Sequence, residues 1–93
     1  MKILGIDDYD EFNQVLDNVF NAKGHDYVYV NNGQDGLKQI REKKFDVVLL
    51  DVLMPDFSGK DVVNELAKNG DIKKQPIILL TASTITEQEV DAK

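Results

Sequence analysis

Four short apolar runs, KILGI (2–6), DYVYV (26–30), FDVVLL (45–50) and IILL (77–80), are separated by stretches with helical periodicity. Strand and helix patterns that alternate over short connections leave few folds open. They point to right-handed βαβ units and a parallel sheet with helices on both faces. FDVVLL is apolar almost without interruption, as suits a strand covered on both sides. DYVYV is β-branched and aromatic, and its Tyr27 and Tyr29 alternate with Val28 and Val30 as in an outer strand.

The helical stretches carry their own punctuation. Phe12, Val15, Leu16, Val19 and Phe20 recur at i, i+3, i+4, i+7 and i+8, one stripe of a helix. Asp8 and Glu11 stand three apart ahead of that stripe as a capping box, and Gly24 ends it. NNGQDG (31–36) reads as a turn and helix entry, and LKQIREKK (37–44) as a second helix with Leu37 and Ile40 inward. Ser58 and Asp61 open a third helix, with Val62, Val63, Leu66 and Ala67 on one side. Thr86 and Glu89 offer a capping box for a fourth, which reaches Lys93 within about two turns, a marginal length on its own.

Ninety-three residues fit one domain, with a hydrophobic share of 42% and a charged share of 30% that suit a folded chain. Seventeen acidic against eleven basic residues, a net charge of −6, argue against a nucleic-acid surface. The absence of cysteine excludes disulfides, thiolate metal sites and a cysteine nucleophile. No apolar run approaches the ~18 residues of a membrane span, and the start lacks the order of a signal peptide. The default expectation is a cytoplasmic protein with no membrane contact.

The chemistry gathers where the strands end. In an open α/β sheet, the crevice outside the carboxyl ends of the strands is the natural binding place. The first strand delivers Asp7 and Asp8, the third Asp51, and the fourth Thr81 followed by small Ala82 and Ser83. With the first and third strands adjacent, three carboxylates meet. Unit charges ~4 Å apart repel by roughly 4 kcal/mol at an effective dielectric of about 20. A hard divalent cation relieves that repulsion, and Mg2+ suits best because it keeps waters for a phosphate group. A carboxylate such as Asp51 can then act as a nucleophile toward phosphorus, giving an acyl phosphate. Asp7 and Asp8 as plain helix caps, and Thr81 as a plain β-branched strand residue, are the bland alternatives.

These segments resemble the receiver domain of two-component response regulators: the Asp7–Asp8 pair, LLDVLMPDFSG (49–59) with its D-x-x-M-P-x-x-x-G pattern, and ILLTAS (78–83). The resemblance implies a flavodoxin-like α/β fold of strand order 2-1-3-4. It implies Asp51 as phosphoacceptor from a histidine kinase or phosphotransfer protein, and Mg2+ as the metal. Asp8, Asp51 and the Leu53 backbone carbonyl would hold that metal, with Asp7 acting through metal-bound water. Thr81 would be the switch hydroxyl, and Ala82 would leave its approach open. Leu53 and Ser83 match positions that tune acyl-phosphate hydrolysis, and Pro55 and Gly59 shape the loop after the acceptor.

Members of that family continue with a fifth strand carrying a lysine, and with a last helix; neither has a counterpart in residues 1–93. The expectation is therefore a receiver domain over 1–93 that is C-terminally incomplete, ending in its fourth helix. The fourth strand would then present an open edge for a second copy, and a non-phosphorylated remnant serving as an assembly module is the rival reading. A phosphatase of the haloacid dehalogenase type would place a second aspartate where Leu53 stands, which argues against turnover of a phosphate ester.

Overall fold

The computed structural model describes residues 1–54, 57–68, 70–73 and 75–80. In chain order these are β1 (Lys2–Ile6), α1 (Asp10–Ala22), β2 (Asp26–Val30), α2 (Gly33–Glu42), β3 (Val47–Asp51), α3 (Gly59–Lys68), a 3-10 turn (Asp71–Lys73) and β4 (Ile77–Leu80). The four strands form one parallel sheet in the order β2-β1-β3-β4, the flavodoxin-like arrangement expected. The fourth helical pattern, Thr81 and Ala82 lie outside the described residues.

Strand alternation divides the sheet between two layers. Leu4, Ile6, Val48 and Leu50 point into a core completed by Ile40 of α2, Phe45, Met54, and Val62 and Leu66 of α3. Burying each such side chain contributes about 1.5–3 kcal/mol. The opposite face receives α1, where Phe20 packs on Tyr27 with ring centroids 5.3 Å apart. Among the described residues, no helix is long and apolar enough to cross a membrane.

Two helix ends follow the sequence expectations. Helix α1 closes with a Schellman pair: His25 N–H donates to the Phe20 carbonyl at 2.9 Å and Gly24 N–H to that of Asn21 at 3.0 Å, with Gly24 at φ 85°. At α3 the Ser58–Asp61 capping box forms in both directions, Ser58 N–H to Asp61 Oδ2 at 2.9 Å and Asp61 N–H to Ser58 Oγ at 3.3 Å.

Others do not. The Asp8–Glu11 capping box is absent: the N-cap of α1 is Tyr9, with no side-chain cap. The Asp7 carboxylate makes the turn by accepting from Tyr9 N–H at 2.9 Å, and this leaves Asp8 exposed and unused by the helix. The apolar stripe of α1 is also only half sheltered. Phe12, Leu16 and Phe20 are partly buried, but Val15 is 55% and Val19 42% exposed, and the fully buried residue of the helix is Asn13. Helix α2 begins earlier than its leucine, at Gly33, because Asn32 Oδ1 caps it through Asp35 N–H at 2.8 Å. In α3, Ala67 faces solvent while Val62 and Leu66 are buried.

The edge of the sheet where β3 and β4 begin is tied together by Gln75. Its Oε1 accepts from Phe45 N–H at 2.8 Å, and its Nε2 donates to the carbonyls of Ile40 at 2.9 Å and Lys43 at 3.0 Å. One buried amide thus joins the end of α2 to the entries of β3 and β4.

Candidate phosphoryl and metal site

Parallel pairing in register brings the acidic residues together. Ile6 of β1 lies opposite Leu50 of β3, so Asp7 and Asp51, each one residue further on, leave the sheet level with each other. Asp7 is held at that exit by its N–H, which donates to the Val30 carbonyl at 3.2 Å, and Asp51 pairs with Leu80 of β4. Asp8 follows at the turn into α1. Each of Asp7, Asp8 and Asp51 offers a carboxylate oxygen, and these oxygens lie within 4.8 Å of one another. Asp7 and Asp51 are only 7% and 9% exposed, whereas Asp8 is exposed.

The loop after Asp51 is shaped to keep it there. Leu53 N–H donates to Asp51 Oδ1 at 3.2 Å, and Gly59 N–H returns to the Val52 carbonyl at 3.2 Å. Gly59 sits against the end of β3 so closely that a Cβ would overlap the Asp51 carbonyl oxygen and come within 2.8 Å of Val52 Cα. Only a residue without a side chain permits that approach. Beside Asp8 a groove of about 490 Å3 runs between Asn31, Asn32, Gln34 and Asp35 on one side and Met54 and Phe57 on the other.

Crowding three carboxylates at a half-dry edge has an electrostatic cost. Burial, with the charges of Asp7 and Asp8 adding to it, pushes the Asp51 carboxyl up to about 6, against the pull of the Leu53 amide. Burial also raises Asp7, opposed by the Tyr9 amide and reinforced by Asp8. Both shifts have the same meaning: the charged forms want a positive partner. A hard divalent cation with oxygen ligands is the partner that such a donor set suits, and the cluster can hold one.

Fold and site together define a class: a parallel α/β module with a cation-ready acidic edge beside a carboxylate at the end of its third strand. The response regulator receiver domain matches residues 3–93, and the chain belongs to that family. Protein PilH of Pseudomonas aeruginosa is 32% identical over 90 residues, covering 97% of this chain and 72% of PilH. The DNA-binding response regulator MtrA of Mycolicibacterium smegmatis is 34% identical over 85 residues, covering 91% of this chain and 36% of MtrA. The chain thus spans about a third of that longer regulator's length. Among solved structures, the response regulator TrrA from Thermotoga maritima in complex with Mg2+–BeF matches with a TM-score of 0.79 and 32% identity, covering 99% of this chain and 79% of that one. A crystal structure of the histidine kinase ThkA in complex with TrrA matches with a TM-score of 0.76 and 36% identity, covering 88% of this chain and 70% of that one.

The sequence pattern thus pointed to Asp7, Asp8 and Asp51, which the fold brings together, with Leu53 two residues past Asp51. It missed Asn13 and Gln75. A single amide in a polar stretch leaves no periodic signal, and each finds its role only through partners brought near by the fold.

Proposed function

We propose that this chain is a phosphorylation-controlled signalling receiver in which Asp51 accepts a phosphoryl group from a phosphohistidine of a partner kinase. The observation that carries this reading is the convergence of Asp7, Asp8 and Asp51 oxygens at the carboxyl edge of the sheet. An Asp51 carboxylate oxygen attacks phosphorus, the phosphorus–nitrogen bond breaks, and the imidazole leaves with the electron pair and takes a proton from water. With its carboxyl near 6, Asp51 is mostly ionised at pH 7 and so able to attack. The residues that would hold Mg2+ are Asp8, Asp51 and the Leu53 carbonyl, with Asp7 acting through a bound water. The ion would neutralise charge on the transferring phosphoryl oxygens. Thr81 is assigned the hydroxyl that turns toward the phosphoryl group, and Ala82 the small neighbour that leaves it room. A kinase partner is supported by the relative crystallised with one, and the acidic composition favours protein over nucleic acid as partner.

The test is labelling with a small phosphodonor such as acetyl phosphate. The expected outcome is one added phosphoryl group, by intact mass, that requires Mg2+ and is lost in Asp51→Asn. Labelling that persists in that variant at the same extent would refute the assignment. Beryllofluoride added after Mg2+ should shift the amide signals of Asp8 and Asp51 further.

A further inference from the structure

Asn13 is the one residue of α1 that is wholly buried, at 0% exposed, and it is polar. Its Oδ1 has no hydrogen-bond partner among the described residues. A buried, unpaired amide acceptor costs about 1–3 kcal/mol, whereas a leucine of the same branched shape would carry no such penalty. Stability therefore does not explain an asparagine here. Nor does capping, because Asn13 is the fourth residue of the helix, beyond the N-cap.

Its single side-chain bond is informative. Nδ2 donates to the Asp7 carbonyl oxygen at 2.8 Å. That carbonyl belongs to the peptide unit joining Asp7 to Asp8, so the bond fixes the plane from which the two carboxylates diverge. The same residue is clamped from β2 through its N–H to the Val30 carbonyl, and its carboxylate is anchored on Tyr9 N–H at 2.9 Å. Asp7 is thus held from the sheet through the peptide before it and from α1 through the peptide after it. Without Asn13, the Asp7–Asp8 carbonyl loses its bond to α1 and that peptide is freer to tilt.

We infer that Asn13 is a positioning residue of the acidic pocket, setting the relative direction of the Asp7 and Asp8 carboxylates and through it the affinity for a divalent cation. This rests on the reading of the pocket as a Mg2+ site. Groups that orient ligands from behind typically change metal affinity by about 10–100-fold when removed.

The test is a Mg2+ titration of the wild-type chain and Asn13→Leu, followed by the amide signals of Asp8 and Asp51, with thermal unfolding of both in the absence of metal. Asn13→Leu should bind Mg2+ at least about tenfold more weakly while unfolding at the same or a higher temperature. A residue of purely structural value would move both quantities downward together. If the leucine variant does not fold, Asn13→Ala gives the same affinity readout at a temperature where it is folded. A folded variant with wild-type Mg2+ affinity overturns the inference alone. A wild-type chain that ignores Mg2+ overturns the pocket reading as well, so the two failures are distinct.

Discussion

Gln75 and Asn13 are both buried side-chain amides, placed at opposite edges of one sheet. Gln75 uses its oxygen and its nitrogen on three backbone groups and leaves neither idle. Among the described residues, Asn13 makes one side-chain bond and keeps a bare acceptor. Their surroundings differ in the same sense. Around Gln75 the strand entries are matched by neutral hydrogen bonds; near Asn13 three carboxylates gather within 4.8 Å of one another. The difference teaches where this fold can host chemistry: the entry edge is settled, and among the described residues the exit edge holds polar acceptors in excess of their donors.

The largest expected effect falls on the settled edge. Gln75→Leu strips partners from buried Phe45 N–H and from the Ile40 and Lys43 carbonyls, and should cost about 3 kcal/mol. In a domain of this size that lowers the thermal midpoint on the order of 15 °C, readable by circular dichroism. Paired with an Asn13→Leu variant whose midpoint does not fall, this would establish the contrast; a Gln75 variant as stable as wild type would break it.

Next comes Gly59→Ala, where the loop after β3 fits against Asp51. The added carbon has to push the Asp51 carbonyl and Val52 Cα away, at about 2 kcal/mol of overpacking. Denaturant unfolding should show the loss, and Mg2+ affinity should fall with it because Asp51 itself moves. Intact affinity in that variant would mean that the exit edge tolerates displacement better than its crowding implies.

The smallest effect concerns the carboxylates themselves. Asp51 titrates near 6 when folded against 3.8 ordinarily, so the folded state holds its proton more tightly than the unfolded one. Stability of the metal-free chain should therefore rise as pH falls from about 6 toward 4, and Asp7 adds in the same direction. Asp51→Asn should stabilise the metal-free chain at pH 7 by about 1 kcal/mol after solvent screening, and flatten that rise. With metal the slope reverses: apparent Mg2+ affinity should drop about tenfold per pH unit below about 6, as protons compete for the ligand.

Much of this was legible from residue order. Alternating strand and helix patterns specify the parallel sheet, whereas the register that levels Asp7 with Asp51 appears only in the fold. The Ser58–Asp61 box was readable because its partners are three residues apart. The Asp8–Glu11 pair has the same spacing and does not form, because the helix takes Tyr9 as its N-cap and the Glu11 carboxylate accepts from the Tyr9 hydroxyl instead. Spacing alone does not decide which residue becomes the N-cap. Gln75 is illegible for another reason: its bonds span 30 to 35 residues, and no local pattern announces a contact of that range.

Tyr27 of β2 stands opposite Ile3 and reaches diagonally along the sheet, laying its phenol over Gly5 of β1: a Cβ on Gly5 would fall on the hydroxyl and 2.7 Å from Cζ. Held between Phe20 and Tyr29, that ring has little room to swing aside. Gly5→Ala alone therefore collides, and a smaller residue at Tyr27 alone leaves a void, yet the two together can fill the space again. The two positions are therefore coupled: each substitution alone should lower stability, and the double substitution should recover part of the loss.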